Sequence, residues 1–261
     1  MNYWEGMVLG VVQGLTEFLP ISSSGHLVVA ESLLDLKTPG VVVEVTLHVA
    51  TLLAVVWVYQ GRIVELVVGA FRRDRSAWRA VALLALATAP AAFVGVLLAD
   101  LFERAFESLA AVGVSFVITG TILWSTKWVS NGVRTPHPGV SGALAIGIAQ
   151  ALAIFPGISR SGSTVAVAMW LRVEPVRAAE FSFMLAIPAI AGAAVLQLPD
   201  LAAGVGGVGS GPLALAFVAS LVSGIAAIKL LIALLRAQTF HFFAPYLWVL
   251  GVLTTAWALT R

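Results

Sequence analysis

Gly10-Val-Val-Gln-Gly-Leu-Thr-Glu-Phe-Leu-Pro-Ile-Ser-Ser-Ser-Gly25 returns later in the chain as Gly147-Ile-Ala-Gln-Ala-Leu-Ala-Ile-Phe-Pro-Gly-Ile-Ser-Arg-Ser-Gly162. The offset is 137 residues, and eight of sixteen positions are identical, among them Gln13/Gln150, Ser22/Ser159, Ser24/Ser161 and Gly25/Gly162. In both copies a Pro/Gly and serine turn interrupts an apolar stretch. The turn matters because each apolar piece around it is short. A spanning helix needs about 20 apolar residues. Residues 7–36 and 141–172 therefore read as two short helices joined by a polar turn, each half too short to cross a bilayer. Irregular backbone survives at membrane depth only where protein or a wet cavity covers it. Both stretches are expected to be re-entrant helical hairpins.

The rest of the chain supports a membrane setting. Of 261 residues, 60% are hydrophobic and 11% charged, with a mean hydropathy of +1.00. A soluble domain carries about 25% charged residues. Full spans are expected at about 41–60, 78–99, 109–126, 178–197, 212–235 and 242–260. The net charge of +2 is too small for the basic pI to imply nucleic-acid binding. Without cysteine, disulfides and thiolate metal sites are excluded. The N-terminus lacks a basic leader and meets Glu5 first, so residues 7–20 read as mature structure rather than a signal peptide. Tryptophans 57, 78, 124, 128, 248 and 257 fall near span ends, as interfacial anchors do.

Loop charge gives an orientation. Loop 61–79 holds Arg62, Arg72, Arg73, Arg75 and Arg79; Lys127, Arg134, Arg172, Arg177 and Arg236 fall on the same side. The other side receives Lys37, Arg104 and Arg261, an acidic loop at 100–108, and a Gly-rich loop at 198–211 without basic residues. The positive-inside rule then has the first hairpin entering from outside and the second from inside. One hairpin plus three spans is an odd number of crossings, so the second repeat is inverted. The expected fold is an all-α polytopic membrane protein, a single domain over 1–261. It has six transmembrane helices plus two re-entrant hairpins in inverted-topology repeats of about 1–126 and 141–261.

The substitutions between the copies carry the chemistry. Glu17 faces Ile154, Ser23 faces Arg160, and His26 faces Ser163. Charges at membrane depth are costly and usually mark a site, although a buried ion pair that locks the hairpins together would also use Glu17 and Arg160. Ser22, Ser23 and Ser24 precede one helix start; Ser159, Ser161, Ser163 and Thr164 surround the other. Serine there is first a helix cap. Two helix N-termini also favour an anion, and the planar fork of Arg160 suits phosphate oxygens. Gln13 and Glu17 share a helix face. A carboxylate beside phosphates suggests a Mg²⁺ or Ca²⁺ ligand or a general base; Gln13 would offer a carbonyl oxygen to such an ion, or an ordinary interhelical hydrogen bond. His26 is a base, an acid or a phosphoryl acceptor, or a packing histidine. Glu44, His48 and Glu180, in the following spans, are placed to brace the site. No P-loop, Rossmann fingerprint or His/Cys metal cluster is present.

Gln13-Gly-Leu-Thr-Glu17-Phe-Leu-Pro-Ile-Ser-Ser-Ser-Gly-His26 and Pro156-Gly-Ile-Ser-Arg160-Ser-Gly-Ser-Thr164 resemble the two signature motifs of the undecaprenyl-diphosphate phosphatases, bacterial membrane enzymes associated with bacitracin resistance. The resemblance extends along the chain, including Glu180-Phe-Ser-Phe-Met-Leu-Ala-Ile-Pro. It implies hydrolysis of a polyprenyl diphosphate to the monophosphate carrier of cell-wall glycan synthesis, in the bacterial plasma (inner) membrane. It also implies a divalent cation, Mg²⁺ or Ca²⁺, and a site open to the outer face. Carried onto this chain, Glu17, Ser23, His26 and Arg160 are the catalytic positions. Ser22, Ser24, Ser159, Ser161 and Thr164 are substrate-binding, and Glu17 with Gln13 would hold the metal. Gln13 stands where many members have a second Glu, which lowers the local negative charge by one. The expected chemistry is attack on phosphorus by Ser23 with His26 as base, with attack by His26 or by water as alternatives. The partners are the lipid substrate and surrounding membrane lipid, not nucleic acid; the oligomeric state stays open, a homodimer included. Three rivals remain: a transporter of the same lipid, a phosphatidic-acid-type phosphatase whose other motif pieces are missing, and a purely structural membrane protein.

Overall fold

The computed structural model describes residues 1–33, 41–129, 132–197 and 209–260. It is all-helical, with eleven α-helices among the described residues. In chain order these are α1 (Tyr3–Phe18), α2 (Ser23–Leu33), α3 (Val41–Phe71), α4 (Arg75–Leu97), α5 (Ala99–Phe106), α6 (Leu109–Ser125), α7 (Val140–Leu152), α8 (Arg160–Trp170), α9 (Pro175–Leu196), α10 (Ser210–Arg236) and α11 (Phe243–Ala258). Six helical stretches are long and apolar enough to cross a membrane: α3, α4, α6 with the 3-10 turn Thr126–Trp128 that continues it, α9, α10, and α11 with the 3-10 turn Phe240–Phe242 that precedes it. This is a multi-pass membrane protein.

The broken segments fall where the repeat placed them. A capping box between Asn2 and Glu5 opens α1. The helix ends at Leu19, whose extended backbone (φ −64°, ψ 149°) is what the following Pro20 demands. At about 1.5 Å per residue, the 16 residues of α1 and the 11 of α2 each fall short of a hydrocarbon core of about 30 Å. The same holds for the 13 residues of α7 and the 11 of α8.

Each short first helix packs on the opposite half of the chain. Gly6, Gly10 and Gly14 form a stripe on α1 so close to α10 that an added Cβ would lie 2.6 Å from the Pro212 carbonyl oxygen, 2.3 Å from that of Ala216 and 2.3 Å from that of Ser220. Small residues of this kind let membrane helices approach closely. Gly147 does the same for α7 against α4, where a Cβ would lie 2.5 Å from the Ala87 oxygen. Between these pairs α3 packs against α9, and α6 against α11. Phe18, Phe116 and Phe183 are fully buried in the common core, Phe18 meeting Phe183 edge-on at 5.5 Å.

Two expected loops are helical. The basic stretch 61–79 continues α3 to Phe71, leaving only residues 72–74 before α4. Its charges are compatible with helix because Arg62 pairs with Glu65 one turn on (2.8 Å) and with Glu180 of α9 (3.1 Å). A non-helical residue, Tyr59 (φ −106°, ψ 17°), kinks α3 where the expected span ended. The acidic stretch 100–108 contains α5, a two-turn helix with one buried anchor, Phe102. Lys37, Arg261 and segment 198–208, all part of the charge reading, lie outside the described residues.

Candidate active site

The two serine turns are built on one hydrogen-bond frame and meet tip to tip. In the first, Ser22 Oγ lies 3.3 Å from Ser24 Oγ and accepts from the Gly25 N–H (3.4 Å). In the second, Ser159 Oγ lies 3.3 Å from Ser161 Oγ and accepts from the Gly162 N–H (3.0 Å). The cap reading of these serines therefore holds in both copies. Ser161 Oγ donates across to the Leu19 carbonyl (3.1 Å), joining the turns. Thr119 of α6 fastens the second turn: its hydroxyl donates to the Gly157 carbonyl (2.8 Å) and accepts from the Ser159 N–H (3.2 Å). Ser22 adopts a left-handed backbone (φ 71°), which costs a serine conformational energy and persists only where neighbours hold it.

Across this contact the unlike residues find one another. Arg160 Nη2 donates to Glu17 Oε1 at 2.7 Å, with both side chains largely buried. Arg160 Nη1 also donates to the Ser182 carbonyl of α9 (3.3 Å). Glu17 Oε2 accepts from the Ser23 hydroxyl (2.6 Å) and the Gln13 amide (3.1 Å). Removing one member of such a buried pair typically costs about 3–5 kcal/mol, because the other charge is stranded. Thr164 bonds the Arg160 carbonyl (2.7 Å) and the Ser182 hydroxyl (2.7 Å), fixing the first turn of α8 against α9.

These groups border a cavity of about 320 Å³, whose wall includes Glu17, Ser22, Ser23, Ser24, Ser159 and Arg160. Glu31, Glu44 and His48 extend it along α2 and α3, and Phe106 of α5 stands at its edge. The N-termini of α2 and α8 converge here with a guanidinium between them. Such a wall suits a polyanion.

His26 is placed differently from Ser23. Its Nδ1 lies 2.7 Å from the Ser22 carbonyl and its Nε2 2.7 Å from the Tyr246 hydroxyl. A carbonyl only accepts, so Nδ1 carries a proton, and in the neutral ring Nε2 accepts from Tyr246. The ring stacks on Tyr246 and meets Phe116 edge-on. Ser23 and His26, expected to meet on one helix face, do not bond; the Ser23 hydroxyl goes to Glu17 instead.

The chain matches the protein family described as bacitracin resistance protein BacA over residues 6–253. It belongs to that family. It is 39% identical to an undecaprenyl-diphosphatase of Desulfatibacillum aliphaticivorans, over 96% of this chain and 97% of the relative. It is 37% identical to one of Carboxydothermus hydrogenoformans, over 97% and 96%. A third, of Alkaliphilus metalliredigens, is 36% identical over 99% and 100%.

Of the residues that the BacA resemblance marks, Gln13, Glu17, Ser22, Ser23, Ser24, Ser159, Arg160, Ser161 and Thr164 are gathered at the two turns, and His26 backs the first turn. Glu44 and His48 border the same cavity. Glu180 does not: it pairs with Arg62 and Arg177 (2.7 Å), because two residues before Ser182 it points to the opposite side of α9. Ser182, Thr119 and Tyr246 support the site and were not singled out from sequence. Each is an ordinary residue within a spanning helix or at its end, recognisable only by its partner. Ser163, counterpart of His26, is buried and its hydroxyl has no partner among the described residues.

Proposed function

We infer that this BacA-family protein is an undecaprenyl-diphosphatase. It hydrolyses undecaprenyl diphosphate to undecaprenyl phosphate and inorganic phosphate, recycling the lipid carrier for cell-wall glycan synthesis and conferring bacitracin resistance. The observation that carries the reading is the Arg160–Glu17–Ser23 chain joining the two turns at a cavity wall. It sets an oxyanion grip, a carboxylate and a hydroxyl nucleophile side by side.

The diphosphate binds between the turns, and its polyprenyl tail runs among the helices. Arg160 and the N–H groups of the two helix starts hold the phosphate oxygens and stabilise charge in the in-line transition state, the main demand of phosphoryl transfer. An incoming phosphate competes with Glu17 for Arg160. As that ion pair loosens, the carboxylate regains basicity while still bonded to Ser23. Ser23 Oγ then attacks the terminal phosphorus, its proton passing to Glu17. The anhydride bond breaks towards undecaprenyl phosphate, an anion that leaves without a proton. Water later releases phosphate from Ser23. His26, through the Ser22 carbonyl, holds the strained turn that aims Ser23.

A divalent cation, Mg²⁺ or Ca²⁺, fits this donor set through oxygen. The Gln13 side-chain oxygen is buried beside Glu17 without a partner among the described residues. Gln13 and Glu17 would hold the ion, which supplies positive charge to the diphosphate when bound.

The packing of α1 on α10 and of α7 on α4 supports two repeats that exchange their first helices, and with it the inverted arrangement of two re-entrant hairpins. With the arginine-rich ends in the cytoplasm, the site opens to the outer face of the inner membrane.

The test is phosphate release from undecaprenyl diphosphate by purified protein in detergent, with Mg²⁺ and with chelator. Arg160→Ala is expected to lower kcat/KM by roughly 10²–10³-fold, the usual effect of deleting one oxyanion donor. Release unaffected by that change would remove Arg160 from the mechanism. Rapid quench should trap phosphate on Ser23; a trap that stays empty assigns the attack to water. Sidedness is checked independently. In a chain without native cysteine, Glu103→Cys on exposed α5, next to Phe106 at the cavity edge, should react with an impermeant maleimide in intact cells. Labelling only after lysis would reverse the orientation.

A further inference from the structure

A larger cavity, of about 510 Å³, opens at the opposite ends of α3 and α9. Glu44, on the wall of the catalytic cavity, and Glu65, on the wall of this one, are separated by about 30 Å of helix at about 1.5 Å per residue. Four arginines line it: Arg62, Arg75, Arg79 and Arg177. So do three acids, but each is already engaged. Glu65 pairs with Arg62 (2.8 Å), and Glu180 with Arg62 (3.1 Å) and Arg177 (2.7 Å). The Asp74 carboxylate accepts from the Ser76 N–H (2.8 Å) and hydroxyl (2.9 Å), capping α4. Arg75 and Arg79 are left with no ion-pair partner among the described residues. They stand one turn apart, on one face of α4.

The floor is apolar, with Leu66, Leu83, Leu84 and Met184, and His137 also borders the cavity. Beside the cavity, Phe71 (86% exposed) and Trp78 (54% exposed) turn outward from the α3–α4 junction, and the Trp78 indole donates to the Ala70 carbonyl (3.1 Å). A tryptophan so placed sits at headgroup depth. Two uncompensated guanidinium groups over an apolar floor, at that depth, match a lipid phosphate with the start of its acyl chains.

We propose that the cavity between the end of α3 and the starts of α4 and α9 holds the phosphate headgroup of an anionic phospholipid, gripped by Arg75 and Arg79. This is a second lipid-phosphate site, separate from the catalytic one and on the other membrane face.

Native mass spectrometry of the purified protein with phosphatidylglycerol and phosphatidylcholine of matched chains tests it. Wild type should retain phosphatidylglycerol preferentially. R75Q/R79Q should weaken that retention by about twenty-five-fold, from about fivefold per cation beside an anionic headgroup. R75K/R79K should keep most of it, and R79Q alone should lose about fivefold, which guards against a misfolded double variant. Phosphate release from undecaprenyl diphosphate should be unchanged in all three, because neither arginine borders the catalytic cavity. Equal retention of both lipids by wild type, or an undiminished preference in R75Q/R79Q, would overturn the proposal. Displacement of phosphatidylglycerol by millimolar inorganic phosphate would overturn it in favour of a soluble anion.

Discussion

The turn at Ser22–Gly25 and the turn at Ser159–Gly162 share a skeleton and divide the chemistry. In each, a serine hydroxyl caps the following helix through the N–H of a glycine three residues on, and a second serine stands 3.3 Å away. The residue between the serines differs, Ser23 against Arg160, and so does the residue five places before the capping serine, Glu17 against Ile154. The shared residues make the frame; on the proposed mechanism the unshared ones make the reaction, one copy supplying nucleophile and carboxylate, the other the cation that grips the substrate. Neither copy holds a complete site, and the 2.7 Å bond from Arg160 to Glu17 is where the halves are completed.

The largest expected effect strikes this division directly. Glu17→Gln keeps the shape but removes the proton acceptor of Ser23, and kcat/KM should fall by about 10³-fold, within the usual range for a general base. A variant within tenfold of wild type would transfer that role to another group. The second contrast sets His26 against its counterpart Ser163. His26→Ala removes the donor to the Ser22 carbonyl and the stack on Tyr246, and activity should fall about 10²-fold. Ser163→Ala removes a buried hydroxyl without a partner among the described residues, so unfolding stability should stay within about 0.5 kcal/mol. Equal losses in both would make the histidine no more than packing. The smallest effect separates the glycines. A Cβ at Gly25 would meet the Phe116 ring at 2.7 Å and the Gly157 Cα at 2.8 Å, whereas at Gly162 the nearest contacts are Ser159 at 3.0 Å and Pro20 at 3.2 Å. Gly25→Ala should therefore lower thermal stability in detergent by about 1–3 kcal/mol. For Gly162→Ala the milder crowding is offset by the helix propensity of alanine, up to about 1 kcal/mol. The reverse order would mean that the first turn is the looser one.

Much of this was legible in the chain. Six apolar stretches announce six crossing helices, since length and hydropathy are enough for that. The two broken segments declare themselves by Pro20 and Pro156 within apolar surroundings. Glu17 and Arg160 stand out because a charge there needs a partner. What escaped reading depends on neighbours distant in sequence. Arg62 and Glu65 looked like loop charges, yet their mutual bond and that to Glu180 let α3 continue through them. Glu180 looked like part of the site because it lies in the span that follows the second turn, but it faces Arg62 and Arg177 on the side of α9 away from Ser182. Tyr246 carries no local signal at all; only the fold brings it to His26, 220 residues away in sequence.

The glycine stripe on α1 also dictates the order in which this protein can mature. Gly6, Gly10 and Gly14 fit the backbone of α10, a helix synthesised about two hundred residues later. While the chain is being inserted, the first helix lacks its main neighbour, and Glu17 waits for an arginine that has not yet been translated. The ribosome must have nearly finished before α1 can seat. The two serine turns can therefore take their final places only as the last helices enter the bilayer.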